Sequence, residues 1–189
     1  MVHFTIVLTL LNQVPETAEA TTIETNSAGF DYNDFDQRIL EKFFDDEYDK
    51  HEHDGRVFYS HSKMKYGTDD EKAEKEQIRN MFSDFGIVSP KFYKGNHEKM
   101  IDEMDKLYKH NDGKRIEEME FYKMIVGSCQ MLVYSKWEDE IPSGVAIEIN
   151  HAIDIGIPVF ELIGDEFIPQ KVHVQGLSHK ETIKMYDED

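Results

Sequence analysis

The sequence predicts an α/β fold: a doubly wound, flavodoxin- or Rossmann-like parallel sheet with helices on both faces, preceded by an N-terminal extension. Short apolar segments recur along the chain, and stretches with helical spacing of apolar residues separate them. Connections of that length favour parallel crossovers over hairpins. Apolar residues make up 39% of the chain and aromatic residues 12%, which is enough for one sizeable core.

Each strand is expected where apolar or β-branched residues stand between polar or turn-forming residues. Four strands of the core and one edge strand meet that description. They are 57–60, 87–89, 131–134 and 157–163, with 171–174 at the edge.

Each helix is expected from its capping signals and its apolar face. The box Thr68-x-x-Glu71 opens a helix that we expect to end at Gly86, with Phe85 on its apolar face. Ser143 is expected to cap a helix that runs to Gly156. The remaining expected helices are 100–108, 116–126 and a terminal helix opened by Ser178-x-x-Glu181.

The first 55 residues form the predicted extension, and residues 56–189 form the predicted α/β domain. We interpret the apolar run at 4–11 as a buried strand rather than a signal peptide, because no Lys or Arg precedes it. The acidic stretch 31–54 has the spacing of an amphipathic helix. The sequence His51-Glu52-His53-Asp54-Gly55 at its end is interpreted as a solvated turn, and we expect neither a metal site nor a cofactor.

The formal net charge of −18 argues against binding to nucleic-acid polymers or to anionic membranes, because like charges repel. Cys129 is the single cysteine, which rules out an internal disulfide and suits a reducing, cytoplasmic compartment. Its apolar neighbours indicate a core position rather than a catalytic one.

Glu148 is the main candidate for chemistry. It interrupts a largely apolar helix about one turn after Ser143-Gly144. Ligands of doubly wound sheets bind outside the carboxyl ends of the strands, and this helix starts there. The alternative is a surface glutamate on the polar side of the helix. The backbone N–H groups at Ser143-Gly144 are a candidate anion site.

The motif Ser143-Gly144-x-x-x-Glu148-x-x-x-Ala152, followed by Gly156-x-Pro158-Val159, stands after the segments 56–60 and 118–134. This arrangement resembles the nucleoside 2-deoxyribosyltransferase superfamily, which includes the deoxynucleoside 5′-monophosphate N-glycosidases. The resemblance covers roughly residues 56–163. The loop 61–68 departs from the family, because it lacks the Gly-rich phosphate cradle of the monophosphate hydrolases.

The resemblance implies that Glu148 is the nucleophile that attacks the anomeric carbon of the sugar. It implies that Glu120 orients the substrate or the leaving base. It also implies a substrate pocket lined by Tyr59, Ser60 and His61, with Ser143 and Gly144 near a 5′-hydroxyl or phosphate. Each residue has an alternative: Tyr59 can point into the core, Ser60 can simply end the strand, and His61 can be an ordinary loop residue.

The leading hypothesis is therefore cleavage or transfer of an N-glycosyl bond in a nucleoside or nucleotide. One alternative is a non-catalytic nucleotide-binding or sensor domain with the same fold. Another is a TIR-like protein that cleaves NAD, since such proteins also place a glutamate in a parallel α/β fold. Members of the superfamily commonly complete their sites across subunits, so we expect a homo-oligomer.

Overall fold

One five-stranded sheet organises the described part of the chain. The computed structural model describes residues 55–90, 99, 101–102 and 118–187. The strands are β1 (Gly55–Ser60), β2 (Phe85–Val88), β3 (Met131–Tyr134), β4 (Val159–Ile163) and β5 (Glu166–Gln170). The helices are α1 (Asp69–Met81), α2 (Glu118–Gly127), α3 (Ser143–Asp154) and α4 (His179–Asp187), with a 3-10 turn at Lys63–Lys65.

The strand order is β2-β1-β3-β4-β5. β1 pairs in parallel with both β2 and β3, β3 pairs in parallel with β4, and β5 pairs antiparallel with β4. The chain winds first from β1 to β2 and then, after β2, in the opposite direction to β3 and β4. This is the order of flavodoxin-like sheets with an antiparallel edge.

Successive side chains along the central strands point to opposite faces of the sheet, and both faces are buried. On one face, Val57 and Tyr59 of β1 pack with Ile78 and Phe82 from α1 and its C-terminal cap. On the other face, Phe58 of β1 and neighbouring strand residues are covered by α2 and α3. The largest fully buried side chains on that side include Phe58, Phe121, Ile125, Leu132 and Ile149. The predicted doubly wound α/β fold is confirmed.

The edge strand differs from the prediction in position. Residues 171–174 are not a strand; the edge strand is β5, which ends at Gln170. Ile163 pairs with Glu166, so Gly164 and Asp165 form a two-residue hairpin turn. Gly164 has a φ of 58°, a conformation that a glycine adopts without steric cost.

The helix predicted to run to Gly86 ends earlier. α1 ends at Met81, and Phe85 and Gly86 belong to β2. The start was correct: Thr68 Oγ1 accepts a hydrogen bond from the Glu71 N–H at 3.2 Å. Glu71 in turn accepts from the Gly67 N–H, one residue before the usual position in a capping box.

The start of α3 also differs from its prediction. Pro142, not Ser143, is the N-cap, and no side chain caps the helix. The Ser143 N–H donates to Thr182 Oγ1 of α4 at 2.9 Å. The second capping box is confirmed, because Ser178 and Glu181 exchange hydrogen bonds of 2.8 and 3.3 Å at the start of α4.

Several predictions concern residues outside the described ranges. These are the strand at 4–11, the acidic helix at 31–54, the turn at 51–55 apart from Gly55, which begins β1, and most of the helix at 100–108, of which 101 and 102 are helical. Among the described residues, no helix is long and apolar enough to span a membrane. Cys129 is buried, and burial raises its pKa to about 12, which fits the predicted core position.

Candidate functional site

The strand order places a crevice at the carboxyl ends of β1 and β3. The connection after β1 leads to α1 on one face, and the connection after β3 leads to α3 on the other face. The two connections diverge at that point, and ligands of doubly wound sheets bind there. Ser60 ends β1 and Ser135 follows β3, and both are buried.

Glu148 reaches this crevice from the second turn of α3. The residue is 5% exposed, and its Oε2 accepts a hydrogen bond from the Ser60 hydroxyl. Burial raises the pKa of Glu148 to about 7, although the hydrogen bond from Ser60 acts in the opposite direction. The alternative of a surface glutamate is wrong, and the carboxyl group titrates close to neutral pH.

Tyr66 and Tyr186, from separate elements, lie close enough to Glu148 for its charge to act on their pKa, and Tyr122 lies near Tyr66. Tyr66 follows the 3-10 turn, Tyr122 belongs to α2 and Tyr186 to α4. Burial raises the pKa of Tyr66, and the charges of Glu148, Tyr122 and Tyr186 raise it further. Burial and the Glu148 charge also raise the pKa of Tyr186, whose hydroxyl lies beside Ser62 and the Lys63 backbone. The carboxylate therefore shares its surroundings with aromatic rings and phenol groups.

Tyr59 lies on the opposite face of the sheet from Ser60. Its side chain is fully buried beside α1, and its hydroxyl hydrogen-bonds to Glu74 and lies 3.2 Å from Ser135 Oγ. Burial is the main cause that raises its pKa, followed by the Glu74 charge. Tyr59 thus takes the core position that was its alternative, because consecutive residues of a strand point to opposite faces.

His61 is buried directly after β1, with 2% of the residue exposed. Its ring lies between those of Tyr59 and Tyr66, at centroid distances of 4.2 and 5.2 Å. Nε2 lies 3.4 Å from Glu71 Oε1. Burial lowers the pKa of His61, so the ring is neutral near pH 7. The structure therefore makes His61 part of the packing behind Tyr66 rather than an exposed loop residue.

Ser143 and Gly144 lie at the start of α3, one turn before Glu148. The Ser143 N–H already has Thr182 as its acceptor, so this amide is not available to an anion. Gly144 has open space where a Cβ would stand, so no close contact requires a glycine there.

Glu120 lies on α2 and forms an ion pair within that helix. Its Oε1 is 2.7 Å from Lys123 Nζ, and 44% of its side chain is exposed. The nearby charges of Lys123 and Glu120 both act on the pKa of His151, which burial lowers. Glu120 is therefore partly exposed and paired within its own helix, and its charge acts on His151 of α3.

Sequence reasoning identified Ser60 and Glu148 separately, and the structure joins them. It did not identify Tyr66 or Tyr186 as neighbours of Glu148, or Tyr122 as a neighbour of Tyr66. The position of Tyr66 in the loop after β1 was an available signal, because that loop lies at the carboxyl end of the sheet. No local pattern relates Tyr186, which lies near the C-terminus, to this site.

Comparison of the chain with protein-family models, with curated proteins and with solved structures finds no match. Within the described residues, no group of three or more His, Cys, Asp or Glu side chains is arranged to hold a metal ion.

Proposed function

We propose that this protein cleaves or transfers the N-glycosyl bond of a nucleoside or nucleoside monophosphate, with Glu148 as the nucleophile. The observation that supports it is the buried Glu148 carboxyl group, held by the Ser60 hydroxyl at the carboxyl ends of β1 and β3. Burial of a carboxylate costs free energy, and such groups concentrate at functional sites. The motif around Glu148 supports the same chemistry through its resemblance to nucleoside deoxyribosyltransferases.

The proposed reaction uses the two carboxylate oxygens of Glu148 differently. Oε2 accepts the hydrogen bond from Ser60, and no described residue donates one to Oε1. Oε1 forms a bond to the anomeric carbon while the bond from that carbon to the base nitrogen breaks. The electron pair leaves with the base, which takes up a proton. Water then hydrolyses the glycosyl ester and releases a proton, or a second base displaces the carboxylate.

The surroundings of Glu148 favour this role in two ways. A carboxylate with a pKa of about 7 is more basic than an exposed glutamate, so it is a stronger nucleophile once ionised. In a site of low dielectric, its charge also stabilises the positive charge that develops on the sugar. The proposed rate therefore depends on the ionised form of Glu148.

The three tyrosines suit a ligand with a flat heterocyclic base. Aromatic rings provide apolar walls for such a base, and phenol hydroxyls provide polar contacts at the edges. Tyr66 and Tyr186 bring both kinds of group to the carboxylate from two separate elements, and Tyr122 of α2 adds a third ring near Tyr66.

The test is release of free base, followed by chromatography, from the common nucleosides, their 5′-monophosphates and NAD. We expect base release by the wild-type protein and a loss of at least about a thousandfold in Glu148→Gln and Glu148→Ala. Nicotinamide release from NAD alone would favour the NAD-cleaving alternative. Ligand-induced thermal stabilisation without turnover would favour the sensor alternative. Release of no base from any of these compounds contradicts the proposal.

Two further expectations accompany the proposed activity. A homo-oligomer and a cytoplasmic location stay predictions from the sequence, and sedimentation analysis and cell fractionation test them. Repulsion between the acidic surface and phosphate backbones argues for a monomeric rather than a polymeric substrate.

A further inference from the structure

A second buried polar cluster lies on the face of β1 opposite Glu148. It consists of Tyr59 at the end of β1, Lys65 in the 3-10 turn, Glu74 of α1 and Ser135 after β3, and we call it the Lys65 cluster. Tyr59 and Ser60 are consecutive, so the end of β1 contributes one residue to this cluster and the next to Glu148.

The contacts within the Lys65 cluster are short and mutually satisfied. Lys65 Nζ lies 2.6 Å from Glu74 Oε1 and 2.9 Å from Ser135 Oγ. Ser135 Oγ lies 3.0 Å from Glu74 Oε2, which also accepts a hydrogen bond from the Tyr59 hydroxyl. The side chains of Lys65 and Glu74 are only 7% and 18% exposed. Four elements are therefore joined through one buried ion pair.

A buried ion pair by itself contributes little to the stability of a fold. Desolvation of the two charges offsets much of their attraction, and apolar residues of similar volume often stabilise a fold equally well. What the pair does provide is a fixed geometry, because both charges must meet their partners. The Lys65 cluster therefore indicates that one segment of the chain is held in a fixed position.

The segment held by the cluster is the turn between β1 and α1. The Lys65 N–H donates to the Ser62 carbonyl at 3.1 Å, and the Lys65 carbonyl accepts from the Thr68 hydroxyl at 2.8 Å. The Gly67 N–H donates to Glu71 at 2.5 Å. The residue after Lys65 is Tyr66, whose phenol is close enough to Glu148 for the carboxylate charge to raise the Tyr66 pKa, and Ser60, which opens the same turn, donates a hydrogen bond to Glu148. The side chain of Lys65 thus anchors one side of a turn whose other side meets the carboxylate.

We propose that Lys65 and Glu74 are a positioning pair that fixes the turn between Ser60 and Thr68 and holds Tyr66 beside the Glu148 carboxylate. Only the kinetic part of this inference rests on the proposed function. The geometric part concerns the water content around Glu148 and holds whether or not the protein turns over a substrate.

The experiment compares Lys65→Met, Lys65→Arg and Tyr66→Ala with the control Lys136→Met. Lys136 also loses an ion pair, because its Nζ lies 2.8 Å from Glu161, but that pair joins the end of β3 to β4. The Glu148 carboxyl carbon is titrated by ¹³C NMR in glutamate-labelled full-length protein, with Glu148→Gln to assign the signal. Base release from the nucleoside panel is measured in parallel.

We expect Lys65→Met to lower the titration midpoint of Glu148 by about one pH unit, because a displaced Tyr66 admits water to the carboxylate. Loss of the Lys65 charge alone would raise the midpoint, so the sign of the shift separates the two causes. We expect kcat/KM to fall about tenfold or more. Lys65→Arg, which keeps the positive charge, should leave the Glu148 midpoint and kcat/KM closer to wild type than Lys65→Met does. Lys136→Met should change neither quantity.

In the Tyr66→Ala background, we expect Lys65→Met to cause no further shift of the Glu148 midpoint and no further loss of kcat/KM, because Lys65 acts through Tyr66. If Lys65→Met does not fold, Glu74→Gln takes its place; loss of the Glu74 charge alone would also lower the midpoint, so for this variant the absence of a further shift in the Tyr66→Ala background separates the two causes. An unchanged Glu148 midpoint in the folded variant, or an equal shift in Lys136→Met, overturns the inference. If the wild-type protein releases no base, the proposed function fails while the titration still decides the positioning role.

Discussion

The Ser60 hydroxyl donates a hydrogen bond to Glu148 Oε2 and so joins the last residue of β1 to the second turn of α3. The two residues are 88 positions apart in the chain, and both are buried. Their contact lies where the two halves of the doubly wound sheet diverge.

Glu148→Gln should stabilise the fold at alkaline pH. The pKa of Glu148 is higher in the folded protein, about 7, than the usual 4.5, so the folded state binds the proton more tightly. The free energy of unfolding of the wild type therefore falls as pH rises from about 4.5 to about 7, and the glutamine variant lacks this loss. A shift of this size corresponds to an upper limit of about 3 kcal/mol.

Urea unfolding of both proteins at pH 4, 6 and 8 measures this difference. The two free energies should lie close together at pH 4, and the variant should be the more stable at pH 8. A difference that is constant across the three pH values contradicts the assigned pKa.

Ser60→Ala should raise the pKa of Glu148 further, because the carboxylate loses the hydrogen bond that stabilises its charge. The pH at which base release is half-maximal should move upward, and stability at pH 8 should fall by about 1.5–3 kcal/mol. Ser128→Ala is the matched control, since that hydroxyl donates to the Ile125 carbonyl at the other end of β3. An unchanged midpoint in Ser60→Ala would show that the contact does not tune Glu148.

Glu120→Gln should leave base release within about twofold of wild type. The Glu120 side chain is 44% exposed and pairs with Lys123 on its own helix, and such pairs contribute only about 0.5 kcal/mol or less. Steady-state kinetics on the best substrate from the panel measures this. A loss of a hundredfold would instead restore the role in substrate orientation that the family resemblance implies.

Gly176→Ala should destabilise the protein, whereas Gly144→Ala should not. A Cβ at position 176 would stand 2.5 Å from the Ala146 Cβ and 2.9 Å from the Ile141 carbonyl oxygen. Overpacking of this kind costs about 1–3 kcal/mol. A Cβ at position 144 meets no atom within 4 Å, and alanine within a helix is favoured over glycine by about 0.5–1 kcal/mol.

Thermal unfolding of the two glycine variants tests this pair of expectations. Equal melting temperatures for Gly176→Ala and Gly144→Ala would contradict the close packing of the segment before α4 on α3.

The sequence was sufficient for the doubly wound fold because its apolar segments alternate with helix-length connections. The start of α1 was also predictable, because Thr68 and Glu71 carry a local capping signal. The ends of helices and strands were less predictable, because a residue such as Phe85 fits the apolar face of a helix as well as it fits β2. The β4–β5 hairpin depends on two residues, Gly164 and Asp165, whose turn geometry the sequence expresses weakly.

The site was predictable only in its separate parts. The position of Glu148 in an apolar helix was informative, and Ser60 followed from its place at the end of a strand. Whether a side chain at the end of β1 faces α1 or α3 depends on the register of the strand, because a shift of one residue moves the side chain to the opposite face of the sheet. Tyr59 and Ser60 show this directly, because they lie on opposite faces. Contacts across long stretches of chain, such as Tyr186 with the turn after Ser60, have no local signal.

Mass spectrometry of the protein quenched during turnover tests the nucleophilic role of Glu148 most directly. Digestion of the wild-type protein should yield a peptide in which Glu148 carries the mass of the sugar, and the Glu148→Gln protein should yield none. Base release by the wild type with the sugar attached to another residue would contradict the role of Glu148, as would base release by Glu148→Ala at the wild-type rate.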